Sequence, residues 1–77
     1  MPRYLFHADN GAGYVEDGEG RDLPDLATAR REALKSAGEI IAEELALGRT
    51  DIKLIIYIAA ESGEPLAALP VSVSVAG

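Results

Sequence analysis

Between Asp51 and Ala60 the chain reads DIKLIIYIAA, and this stretch constrains the fold more than any other. It is rich in β-branched residues and sets Ile52, Leu54, Ile56 and Ile58 against Lys53, Ile55, Tyr57 and Ala59, the period of two that belongs to an extended strand. Both of its faces carry large apolar side chains. A chain of 77 residues has to cover them within one domain, and at this length folding hides only about 60% of the surface that the unfolded chain exposes.

Arg3 to Ala8 also alternates, with Tyr4, Phe6 and Ala8 on one side and Arg3, Leu5 and His7 on the other. Asp9-Asn10-Gly11-Ala12-Gly13 supplies turn residues, so Tyr14-Val15-Glu16 is expected to return as a short second strand. Leu66 to Val75 alternates Val71, Val73 and Val75 with Ser72 and Ser74 and reads as a fourth strand after the turn Glu61 to Pro65. Pro70 interrupts it. Proline cannot donate to a ladder, so this strand belongs at a sheet edge or a bulge.

One segment has helical spacing. Leu26, Ala29, Ala33, Ala37, Ile40 and Ile41 recur at intervals of three and four, with Leu34 and Leu45 widening the stripe, and the helix is expected to end near Gly48. Asp22 or Asp25 is its cap, and Pro24 suits a first turn whose amides lack partners. The alanines let the backbone lie close to a sheet, while Ile40, Ile41 and Leu45 are expected to add roughly 1.5–3 kcal/mol each if fully buried. The whole chain is therefore read as one α+β domain, ββαββ, with an antiparallel four-stranded sheet and one helix on one face. Strand order 2-1-3-4 is favoured by Pro70; a β-grasp-like sheet with the fourth strand beside the first is the alternative.

Thirteen acids against seven bases give a net charge of -6, which repels nucleic-acid phosphates and anionic lipid. Without cysteine there is no disulfide framework, no thiolate nucleophile and no Cys-ligated zinc, and the cytoplasm is the expected compartment. No apolar run approaches the roughly 20 residues that cross a bilayer. Met1-Pro2-Arg3 runs into Tyr4-Leu5-Phe6 without the layout of a signal peptide, so the first residues are expected to belong to the mature chain.

The opening Met1-Pro2-Arg3-Tyr4 with Phe6-His7, then Asp17-Gly18-Glu19-Gly20, then Leu23-Pro24-Asp25-Leu26 followed by Ala29, Ala33 and Ala37, resembles a family of small uncharacterised proteins common in alphaproteobacteria. Its members begin MPRYFFH and continue with D-x-E-G and L-x-D-L-x-x-A-R. The resemblance implies no activity, because that family is a domain of unknown function. A weaker likeness is to HicB-like antitoxin domains, through Gly13-Tyr14-Val15, Leu23-Pro24-Asp25 and the alanines from Ala29 to Ala37. Those proteins usually carry a separate DNA-binding segment, and none follows here before Gly77.

Candidate chemistry is sparse. His7, the single histidine, shares a strand face with Asp9 and could be oriented by it as a base, but the serines and threonines show no nucleophile motif. Glu16 to Asp25, EDGEGRDLPD, packs five carboxylates and one Arg into ten residues. It does not match the Ca²⁺-loop spacing, and its glycines and aspartates read more simply as a turn and a helix cap. Gly11-x-Gly13 and Gly18-x-Gly20 lack the basic residue of a phosphate cradle. No catalytic, metal or cofactor residue is therefore assigned, and no small-molecule ligand is inferred.

Two surfaces remain. Arg30, Arg31 and Lys35 form a basic patch on the helix's first half, opposed by Glu39, Glu43 and Glu44 on its second, with Lys35 expected to pair with Glu39 or Glu32. Alternation also forces Leu5, His7, Ile55 and Tyr57 onto the sheet face that the single helix cannot cover. The expected function is a small non-enzymatic interaction or regulatory protein that forms a homo-oligomer or binds a protein partner, through that face or the fourth strand's edge. An antitoxin-type partner-binding domain is the alternative, and a metal-binding or hydrolytic protein stands third.

Overall fold

The computed structural model describes residues 1–77. Strands β1 (Arg3–Asp9), β2 (Tyr14–Val15) and β3 (Arg21–Asp22) precede helix α1 (Leu26–Ala46), and the long strands β4 (Asp51–Ala60) and β5 (Pro65–Ser74) follow. The sheet is antiparallel with β4 inside it, between β1 and β5, and β2 outside β1. The strand path is β2-β1-β4-β5, which differs from the expected four-strand 2-1-3-4 order by one extra strand, and the class is α+β as the alternation predicts. The sequence reading lacked β3, which pairs the other end of β1's outer edge and makes five strands rather than four. Two residues are too few for a periodic signal.

Register settles the faces. Phe6 lies opposite Ile58, Ala8 opposite Ile56, Leu69 opposite Ile56 and Val71 opposite Leu54, so these side chains share the face beneath the helix. The core is Tyr4, Leu54, Ile56, Ile58 and Leu69 against Ala29, Ala33 and Ala37 of α1. The helix rests chiefly on β4. Its fully buried contact line is alanine, with the half-buried Ile40 packed against the core beyond Ala37, and that departs from the expectation for its other large residues. Leu34 and Leu45 are 48% and 40% exposed, and Ile40 and Ile41 are half-buried. Three alanines bring the helix backbone so near the sheet that side chains a quarter-turn round the helix project past it rather than into it.

Asp25, not Asp22, caps the helix: its backbone is extended and its Oδ1 accepts from the Thr28 amide at 2.8 Å. Asp22 pairs with Arg3 instead. At the other end Gly48 takes φ +87, its amide donates to the Leu45 carbonyl and the Arg49 amide to that of Glu44. This is the left-handed termination that glycine allows.

Only 10 of 77 residues are buried, so each core contact carries a large share of the stability. Asp25→Ala is expected to lower the urea midpoint of unfolding, whereas Asp22→Ala, which removes a surface ion pair, is expected to shift it less. Equal shifts in equilibrium urea melts would contradict this placement of the cap.

Candidate functional site

β2 and β3 pair the two ends of β1's outer edge and leave its middle without a strand. There the Phe6 amide donates to Asp17 Oδ2 at 3.0 Å, so a carboxylate stands where a neighbouring carbonyl would be. The second oxygen of Asp17 accepts from the amides of Glu19 and Gly20 at 3.0 and 3.1 Å and closes the turn into β3. The Asp17 amide in turn donates to His7 Nδ1 at 3.0 Å. With Nδ1 accepting, the proton of neutral His7 sits on Nε2. Partial burial pushes the Asp17 carboxyl up, but the Phe6, Glu19 and Gly20 amides and the nearby His7 outweigh it and hold it below the ordinary aspartate range.

Three of the five carboxylates in the acidic stretch are thus committed to the fold. Asp17 binds backbone amides, Arg3 pairs with Asp22 and donates to the Glu19 carbonyl, and Asp25 caps the helix. The Thr28 side chain and amide lower the Asp25 carboxyl as well, with a smaller push from Arg31. No three of the chain's His, Asp and Glu side chains converge on a point that could hold a metal ion. His7 and Asp9 do not bond each other, because Asp9 Oδ1 accepts from the Gly11 amide and His7 Nδ1 from Asp17. Arg21 closes the gap between β3 and the helix, stacked over the Phe6 ring at 5.5 Å and within 3.8 Å of Glu32.

On the sheet face opposite the helix, Leu5, His7, Ile55 and Tyr57 lie together, all half-buried, with no layer over them. The register places Leu5 opposite Ala59 and His7 opposite Tyr57. The structure adds Tyr14, which sequence reasoning left in a hairpin: it is 56% exposed, and its ring lies 5.9 Å from His7 and 6.3 Å from Tyr57. Its pairing with Asp9 was the missing signal, since residues directly opposite share a face. Ala68 and Pro70 extend the patch across β5. Arg30, Arg31 and Lys35 lie exposed along α1 and do not join it. Lys35 makes no ion pair, against expectation, because Glu32 turns to Arg21.

The family model described as "Domain of unknown function (DUF6894)" matches residues 3–72, from the start of β1 to near the end of β5. The chain belongs to the DUF6894 family. No curated protein and no solved structure matches it. The DUF6894 match spans both the broken edge and the aromatic face. The function of that family is not known, so what the chain does has to be argued from these surfaces.

In this DUF6894 chain Gly20 is as constrained as Asp17. Its φ is +75, and a Cβ there would lie 2.8 Å from the Tyr4 carbonyl and from Leu5 Cδ2. Gly20→Ala is expected to cost about 1–3 kcal/mol in denaturant melts. Asp17→Ala strands the Phe6 amide and is expected to cost about 2–3 kcal/mol, and Asp17→Asn less, because it keeps an acceptor. The depressed Asp17 carboxyl adds stability that is present above the unfolded-state value near ~3.9 and is lost as pH falls through the lower folded-state value. Melts from pH 6 to pH 2 therefore ought to show a shallower acid loss in Asp17→Asn than in the parent. Calorimetric titration with Ca²⁺ is expected to show no binding tighter than about 10 µM, since Asp17, Asp22 and Asp25 are already occupied and no three acids converge on one point.

Proposed function

We propose that the chain is a non-enzymatic interaction module that associates with a second copy of itself through the uncovered sheet face. The observation that carries this is the aromatic and aliphatic patch of Leu5, His7, Tyr14, Ile55 and Tyr57 on a single-layer sheet. Apolar patches of this kind on small proteins mark interaction surfaces. The exposed area is 5096 Å², against about 4,500 Å² for a compact monomer of this mass. The radius of gyration, 13.1 Å, likewise exceeds the ~11.5 Å of a compact chain of this length. The excess of about 600 Å² lies at the lower end of the ~600–1,000 Å² per partner of a standard interface.

A face-to-face contact fits better than edge pairing. The Val75 amide donates to Thr50, so alternation makes Ile55 and Pro70 a non-hydrogen-bonded pair and turns the Pro70 nitrogen to the free edge. That edge has a gap in its row of amides, and β1's edge is already taken by β2, Asp17 and β3. The middle of the face holds no acid, and Asp9 and Asp51 lie near one end beside Lys53, so two copies meet without strong repulsion at its centre. The cytoplasm is the compartment this reading assigns, supported by the cysteine-free composition.

The second reading is an antitoxin-type domain that covers a basic partner, supported by the net charge of -6. A small basic protein encoded beside this chain and co-purifying with it in equal amounts would favour that reading.

Light scattering after size exclusion is expected to report at least twice the 8.1 kDa chain mass at micromolar concentration. Ile55→Lys combined with Tyr57→Glu is expected to halve the mass with the fold intact, because charges that stay solvated in the free chain would be buried unpaired in the contact. A mass unchanged by the double substitution would rule out this face.

A further inference from the structure

On the helix side of the sheet a groove of about 620 Å³ runs between α1 and the outer part of β1. Phe6, Ala8, Ile40 and Ile56 floor it, and the turn from Glu16 to Gly20 forms its outer wall. Val15 lies opposite Ala8 in register, so it shares that face and extends the floor, and it is 68% exposed. The floor is therefore apolar and open to solvent.

The walls share one sign. Glu16 and Glu19 stand exposed on the outer wall. At about 100° per residue, Glu32, Glu39 and Glu43 fall on the flank of α1 that carries Ser36 and Ile40. Glu39 and Glu43 also sit in the second half of the helix, towards the negative pole of its dipole, and no basic residue in the last turn offsets them. Of these five acids only Glu32 has an ion-pair partner, Arg21, which is the one basic residue lining the groove. Lys35, on the solvent side of the same flank, is exposed and pairs with none of them. Arg21 shows what the groove accepts. Its guanidinium lies over the Phe6 ring at 5.5 Å and within 3.8 Å of Glu32, on apolar floor and acidic wall at once. The remaining length has the same floor and walls with no cation of the chain's own.

We propose that this groove seats an amphipathic helix of a basic partner protein, its apolar stripe on Phe6, Ala8, Val15 and Ile40 and its Lys and Arg side chains against the acidic walls. Charge complementarity sets the sign of the occupant, because a neutral or acidic segment would leave the carboxylates on both walls unpaired, and a second copy of this chain, at net charge -6, is repelled. The β1 edge sets its form. The outer amides of β1 are held by β2, Asp17 and β3, so an extended segment finds no ladder to join, whereas a helix arrives with its backbone already bonded. From Glu32 to Glu43 the helix wall runs about 17 Å, room for roughly three turns. The groove lies on the opposite side of the sheet from Leu5, Ile55 and Tyr57, so the site does not rest on self-association through that face.

The probe is a synthetic amidated peptide of about four helical turns, leucine along one face and lysine on both flanks, titrated into the full chain at about 0.15 M salt and followed by amide NMR shifts. Saturable binding with a dissociation constant below about 100 µM is expected, with shifts centred on Phe6, Ala8, Ser36 and Ile40. Glu16→Gln with Glu43→Gln, one acid on each wall, is expected to weaken it about tenfold. Glu61→Gln with Glu64→Gln makes the same change of net charge in the turn between β4 and β5, outside the groove, and is expected to weaken it less than about threefold, since distant charges are screened. Ser36→Trp fills the groove without altering charge and is expected to abolish binding; if that variant does not fold, the wall and turn variants decide the matter. The amide spectra check that each variant is folded. Absence of saturable binding, equal losses in the wall and turn variants, or shifts gathered on Leu5, Ile55 and Tyr57 would overturn the proposal. So would a peptide of the same composition in shuffled order, or spermidine, that shifts the groove amides as strongly, because the groove would then read charge alone. Binding retained in Ile55→Lys/Tyr57→Glu is expected, so this site and the sheet-face contact stand or fall separately.

Discussion

The close seating of three alanines on the central strand governs the rest of this structure. Ala29, Ala33 and Ala37 are almost wholly buried against a floor that includes Leu54, Ile56 and Ile58. Small side chains give little apolar area each, so the contact gains its strength from nearness and from the large residues beneath it. The same nearness fixes what the helix cannot do. It cannot widen its footprint to β5, and it cannot bury leucines on its flank. One helix over a five-stranded sheet leaves Val71 and Val73 half-exposed on one side of the sheet and the aromatic face bare on the other.

A second constraint acts at the opposite edge. β1 needs hydrogen-bond partners along its outer side, and the stretch Tyr14 to Asp22 supplies them in three pieces: a two-residue strand, a carboxylate and another two-residue strand. The piece in the middle is the economical one, because a single Asp17 satisfies the Phe6 amide and two turn amides together. Its link to His7 ties this edge to the uncovered face, where His7 neighbours Tyr14. An acidic run that looks like a cation site by composition is, in place, the hydrogen-bonding edge of a sheet.

Both sheet edges are thereby made unsuitable for pairing, one by being filled and one by Pro70. What remains available is apolar: the aromatic face on one side of the sheet and the groove beside α1 on the other. A domain with ten buried residues and surplus exposed area gains more from covering such surfaces than from any refinement of its own small core. That is the physical basis for reading the chain as a module that works in association.

Periodicity by itself determined the α+β class, the helix and the two long strands, because alternation over DIKLIIYIAA and three-four spacing from Leu26 are local properties of the chain. It also separated Leu5, His7, Ile55 and Tyr57 from the core face, since strand geometry alone sends neighbours to opposite sides. The edge order was legible through one residue, Pro70, whose chemistry forbids an inner position. Only the tertiary structure decided the rest. Whether Asp22 or Asp25 caps the helix depended on Arg3, nineteen positions away from Asp22. The role of Asp17 depended on an unpaired amide across the edge, the membership of Tyr14 in the aromatic face on its register with Asp9, and the exposure of Leu34 and Leu45 on how closely three alanines let the helix descend. Each of these is a relation between segments distant in sequence, and a periodic pattern holds no record of which distant group will stand opposite.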